Sequence, residues 1–501
     1  ATAVFGVRGA NGVILVTTKR GETGKASVSV SASAAVQQVS KFVDFADSYT
    51  YGKMWNYAAI TDALPVDQWP GSATIPDYTP YANTGIRFNQ DVMEHFRTGD
   101  MPVTFPNTNW IDYLMRNAAW QEQVNVNVKG GSERVRYFIS AGFLNQSSLL
   151  KTFSLNNDET FHFNRFNYRA NLDIDISKYS QLSLTLGGTV RNRTEMGSGE
   201  SFLFRYLQGA TPYAGIGIDD QGRHIVADAN IVGPYDRDAL SNFYDLGYTK
   251  TSTNTLNLDL QYKLDMSFLT PGLDFRIKGS YNSEYTAQKS RQNGFGTGVT
   301  YVATIVDGQE VLRKENITWP IPYGEIRWGT RNWYAEASFN YARKFGDHNV
   351  GALLLYNQLK RYYPSSYTDI PSGYVGLVGR VTYDYLSRYM LDFNIGYNGS
   401  ENFAPGHRYG IFPSVSVGWI PSAEKFWEPV KDVISFLKIR GSWGKVGNDN
   451  ANGSYNRFLY LPGPWEFYQG SMTWNPQLRG ANFGTSGDYL QAVRELATGN
   501  P

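Results

Sequence analysis

The stretch YRANLDIDISKYSQLSLTLGG, residues 168–188, decides the fold. Apolar Tyr168, Ala170, Leu172, Ile174 and Ile176 alternate with polar Arg169, Asn171, Asp173 and Asp175. After a break at Ser177 to Ser180 the alternation resumes through Leu182, Leu184 and Leu186. A period of two is that of a β-strand with unlike faces, and two such runs across a tight turn form an antiparallel hairpin. The runs outlast the five or six residues of an average soluble strand and reach the roughly 9 to 11 that a tilted membrane-crossing strand needs.

Outward from this hairpin the same period recurs, for example in TLNLDLQYKLDM, residues 255–266. It predicts about thirteen strands, over 25–37, 121–130, 133–145, 162–177, 180–192, 249–266, 272–287, 331–345, 347–361, 373–386, 387–399, 411–421 and 435–447. Their connections alternate in length. Tight turns follow every second strand, and long segments fall at about 38–119, 146–161, 193–249, 288–330, 361–373, 400–410 and 447–501. Short turns at one end and long loops at the other are the pattern of an outer-membrane β-barrel. The 421–434 connection is longer than this parity predicts and carries a short helical pattern. Within the long loops, residues 47–62 read as a helix capped by Asp47, residues 107–118 as one capped by Asn107 or Asn109, and residues 201–214 as a third.

Composition narrows the class. The 501 residues carry a formal net charge of +1, which leaves no basic field for nucleic acid. Aromatic residues make up 15% and charged residues only 18%, a β-like profile, and there is no Cys to form disulfides or thiolate sites. No apolar run approaches the roughly 18 residues of a membrane-spanning helix, a test that alternating strands pass unseen.

The opening string VFGVRGANGVILVTTKRG, residues 4–21, is distinctive. Gly6, Arg8, Gly9, Ala10, Asn11 and Gly12 form a glycine-punctuated turn before the apolar strand Val13 to Thr18. It resembles the plug-domain signature of SusC/RagA-family TonB-linked outer-membrane transporters. GGSERVRYFISAGFLNQ from Gly130, RYGIFPSVSVGWIPSAEKF from Arg408 and LKIRGSWGKVGND from Leu437 resemble the same family, in the expected order. The resemblance implies an all-β fold, a large antiparallel transmembrane β-barrel of twenty-two strands with an internal plug. It also implies a SusD-like surface lipoprotein, periplasmic TonB and a location in outer-membrane lipid. On this reading residues 1–22 end the plug and residues 23–501 form part of the barrel, an internal fragment that lacks the TonB box.

No catalytic constellation stands out. His95, His162, His224, His348 and His407 are scattered, without metal-ligand spacing. NDNANG, residues 448–453, opens like a calcium loop but has Leu459 where the bidentate Glu belongs. No enzyme activity, cofactor or metal is expected. Loop aromatics are the better candidates for ligand contact, because flat rings stack on sugars and pack against peptide side chains. They include Trp55, Trp69, Tyr78, Tyr81 and Trp110, and further along Tyr213, Tyr235, Trp319, Trp328 and Trp465. Asp173, Asp175, Asp259, Asp265, Lys438 and Arg440 are expected to face the lumen and hold the plug. The function expected is TonB-dependent import of oligosaccharides or peptides with the lipoprotein lid. The alternatives are a lidless receptor for siderophores or cobalamin and, in another class, a secreted β-rich glycan-binding protein.

Overall fold

The computed structural model describes residues 18–41, 44–153, 161–197, 207, 209–235, 238–241, 247–291, 297–318, 323–363 and 370–447. The hairpin at the centre of the sequence pattern is formed by β4 (His162–Ser177) and β5 (Ser180–Met196). Before it run β1 (Gly24–Gln37), β2 (Ala119–Gly131) and β3 (Val135–Ser147). Two short strands, β6 (Gly215–Ile218) and β7 (His224–Ala227), precede β8 (Tyr248–Asp265) and β9 (Leu273–Arg291). A loop hairpin, β10 (Thr297–Val306) and β11 (Gln309–Thr318), leads to β12 (Tyr323–Phe345) and β13 (His348–Tyr362). The last are β14 (Ser372–Tyr385), β15 (Tyr389–Ser400), β16 (Tyr409–Trp419) and β17 (Ile439–Gly444).

Thirteen of these form one sheet, in the order β1-β2-β3-β4-β5-β8-β9-β12-β13-β14-β15-β16-β17, and every neighbouring pair is antiparallel. The other four form a small sheet within the long loops, in the order β11-β10-β7-β6.

Cross-strand rows show what each face is made of. One row runs Ile174, Leu182, Tyr262, Ile277, Ala337, Tyr356, Leu377, Tyr397 and Ile411, apolar or aromatic at every strand. The row one residue over runs Asp173, Ser183, Gln261, Lys278, Glu336, Asn357, Gly376 and Asn398, with no hydrophobic side chain in it. Burial is inverted relative to a water-soluble sheet. Ile411, Ile277 and Leu377 are exposed, whereas Asp173, Ser183 and Asn398 are buried. A sheet that turns its hydrophobic face outward and packs its polar face is built to meet lipid.

The two larger apolar cores lie in the loops. The first long connection carries α1 (Ser48–Ala63), α2 (Gln90–Thr98) and α3 (Trp110–Leu114). Asp47 caps α1 by accepting the Thr50 N–H at 2.6 Å, and Asn109 caps α3. One core gathers Ile60, Phe88, Met93 and Phe96 of this connection with Tyr213, Ala227 and Val232 of the β5–β8 connection. A second joins Trp110, Ile111 and Leu114 to Phe161, Met196, Leu207 and Leu240. The β7–β10 pairing is parallel, Thr300 to Ala303 against His224 to Ala227, and ties the β5–β8 connection to the one between β9 and β12.

Candidate transport site: the polar wall and the loop cap

The polar face receives the segment that enters β1. Arg20 Nη1 donates to Asp173 at 2.9 Å, the Ser183 hydroxyl donates to the same carboxylate, and Asn171 Nδ2 donates to the Lys19 carbonyl. Gly21 explains how the chain comes so close: a Cβ there would lie 2.3 Å from the Tyr137 backbone nitrogen. Asp175 takes two N–H groups of Arg136, at 2.7 and 3.0 Å, and the amide of Gln181 at 2.9 Å. Asp259 lies 3.8 Å from Lys278 on the same face. Asp265 instead caps the short turn after β8, accepting the Ser267 N–H at 2.8 Å. Lys438 and Arg440 border a cavity of about 1050 Å³ with Asp384 and Asp392 near the short-turn end. Asp173, Asp175 and Asp259 are thus paired within the wall or with the entering segment.

The loop aromatics divide by burial. Tyr213 is fully buried at the centre of the larger loop core, its ring 5.1 Å from Phe88 and 5.6 Å from Tyr51, and its hydroxyl donates to the Pro234 carbonyl. Tyr78 and Trp110 are also buried, and Trp110 Nε1 donates to Thr211 O at 2.9 Å. Tyr81 and Tyr235 are half-buried against the larger core, with the Tyr235 hydroxyl bonded to the Ala227 carbonyl. Three candidates offer exposed rings. Trp55 is stacked on Tyr51 and carries the Arg87 guanidinium 3.8 Å from its ring centroid. Trp69 is anchored by its indole N–H to Leu64 O. Trp328 stands on β12 in register with Thr286, on the wall's polar face. Trp319, Trp465, the signature from Gly6 to Gly12 and the calcium-like stretch lie outside the described residues.

Two residues that stitch the loop cap were not singled out in the sequence. Glu310 of β11 accepts the backbone N–H groups of Val103 at 3.1 Å and Thr104 at 2.7 Å, crossing from one long connection to another. Asp307-Gly308 before it, both with positive φ, is the Asp-Gly signal of a tight hairpin, which the long 288–330 segment obscures. The second is Arg87, between Trp55 and the Tyr213 hydroxyl. Deeper still, His224 of β7 and Asp238 pair at 2.9 Å. Burial opposes ionisation of Asp238, yet the imidazole and the N–H of Ser241 hold its carboxyl below the usual range.

An antiparallel sheet with an apolar outer face, a polar inner face and folded loops at one end defines the class: a large membrane β-barrel wall of the outer-membrane type. Within that class the chain is SusC/RagA-like. It is 25% identical to the TonB-dependent receptor SusC of Bacteroides thetaiotaomicron over 506 aligned residues, covering 92% of this chain and 43% of that protein. It is also 25% identical to the TonB-dependent receptor P3 of Formosa agariphila, covering 89% of this chain and 41% of that one. The fold matches a structure of the RagAB peptide transporter with a TM-score of 0.63, at 15% identity, over 94% of this chain and 52% of that chain. The RagAB peptide importer in its closed-closed state gives 0.61, covering 92% of this chain and 51% of that chain. No family model matches the chain. The chain spans about two fifths of the length of the curated relatives it matches.

Proposed function

We propose that this chain is the barrel wall and loop cap of a TonB-dependent outer-membrane importer that takes up oligosaccharides or peptides together with a SusD-like lipoprotein. Residues 1–22 end the plug, and the barrel sits in the outer membrane with its long loops outside the cell. The inverted polarity of the thirteen-stranded sheet carries this reading, because a water-soluble glycan-binding sheet has no reason to bury Asp173 and Asn398 while exposing Ile411. The likeness to SusC and to the RagAB fold supports it over the lidless receptor.

The chain's parts then have distinct roles. The loop cap and the lipoprotein hold the nutrient, with Trp55, Trp69 and Trp328 offering exposed rings for stacking. Asp173 and Asn171 brace the segment that leads into the plug. Tension applied through TonB withdraws the plug from the polar wall and opens a hydrated path, so the work comes from TonB and no bond chemistry is needed. Deletion of the full-length gene tests the function: growth on at least one polymeric glycan or peptide is expected to fail and to return on complementation. Unchanged growth on every such source would overturn it.

A further inference from the structure

The apolar face is not uniform. Across β8, β9, β12, β13 and β14, and reaching the long-connection ends of β15 and β16, it is indented by a groove of about 890 Å³. Small residues make the floor: a Cβ on Gly279 would meet nothing within 4 Å, and Ala335 is its cross-strand neighbour. Leu258, Leu260, Tyr281 and Trp333 form the walls, and all four belong to the face that carries Ile277 and Ala337.

The end of the groove nearest the long connections is cationic. Tyr362 closes it, with the Arg331 guanidinium 4.4 Å and the Lys360 ammonium 5.1 Å from its ring centroid. Arg331 pairs in register with Tyr362, so both cations stand on the apolar face, and neither forms an ion pair among the described residues. Arg408 borders the same end, where Glu401 is the one acidic lining residue. Net positive charge above an apolar slot is complementary to a molecule with an acyl chain and an anionic head.

We propose that this groove binds a phosphate-bearing lipid of the leaflet nearest the long connections, its acyl chain against Gly279 and Trp333 and its phosphate against Arg331 and Lys360. The proposal rests on the membrane-barrel reading above. Its continuity with the exposed apolar rows places the site on the lipid-facing surface, away from the transport path.

The full-length protein, purified in a neutral detergent and titrated with phosphatidylglycerol or phosphatidylcholine, tests this by native mass spectrometry. Retention of phosphatidylglycerol is expected to exceed that of phosphatidylcholine. It is expected to fall roughly tenfold or more in the double variant Arg331→Gln, Lys360→Gln, since each basic group near a membrane surface contributes appreciably to anionic-lipid binding. Gly279→Leu, which fills the floor, is expected to displace both lipids, and Lys344→Gln at the opposite end of β12 to change neither. Equal retention of the two lipids, or unaltered retention by the double variant, would overturn the proposal. Displacement of phosphatidylglycerol by inorganic phosphate alone would reassign the site to a free anion and also overturn it. Retention of no lipid at all would instead count against the membrane reading on which it stands.

Discussion

At the scale of single residues, the short turns and the loop cap make different demands. Gly272, in the turn between β8 and β9, has φ +89°, and a Cβ there would lie 2.1 Å from the Ala342 carbonyl oxygen. Gly272→Ala is expected to cost about 1–3 kcal/mol, read as a lower unfolding temperature of the folded barrel. In the cap, Trp110→Ala removes a buried ring and strands the Thr211 carbonyl, so a loss of about 3–5 kcal/mol in loop stability is expected by hydrogen exchange. Trp69→Ala, at an exposed position, is expected to leave that exchange within about 0.5 kcal/mol of wild type. Asp238 adds a pH dependence. Its carboxyl is depressed, so its contribution is complete above the ordinary value of 3.8 and is lost as the pH falls through the lower folded value. Exchange protection around Ser241 is expected to follow that course, and Asp238→Asn to abolish it.

Elements show where the sequence was legible. β4 and its neighbour in the opening hairpin are readable to the residue at Ser177 and Ser180, because the alternation and the turn end together there. β12 begins at Tyr323, well before the point at which its alternation becomes apolar against polar. Above that point Glu325, Arg327 and Trp328 are held by ladder bonds to β9, not by an apolar face, so the dyad pattern carries no signal. The small loop sheet was missed for a related reason: β7 pairs in parallel with a strand from a different connection, a contact no local pattern encodes. α2 is not among the expected helices although Asn89 caps it and Gly99 ends it in the left-handed region, whereas α1 was legible from its Asp47 cap. Burial of loop aromatics was not, since Tyr213 and Trp69 look alike in sequence and differ only in what three connections pack around them. Glu310→Ala tests whether those connections move together. It leaves the Val103 and Thr104 N–H groups without their acceptor, and limited proteolysis is expected to cut the β10–β11 hairpin faster while the thirteen-stranded sheet stays intact.

For the whole molecule, everything rests on the two faces. A wall with hydrophobic rows outward and Asp, Asn and Ser rows inward explains the alternating loops, the bracing of Arg20 and the cationic groove. The chain contains no Cys, so single cysteines can be placed without removing native ones. The most direct measurement is a scan of spin-labelled cysteines at Leu391, Asp392, Phe393, Asn394 and Ile395 of β15 in the full-length protein reconstituted in lipid. Membrane-dissolved oxygen is expected to relax the labels at 391, 393 and 395 most strongly, with 392 and 394 shielded from it. Oxygen accessibility that shows no period of two, or that is highest at 392 and 394, would contradict the account.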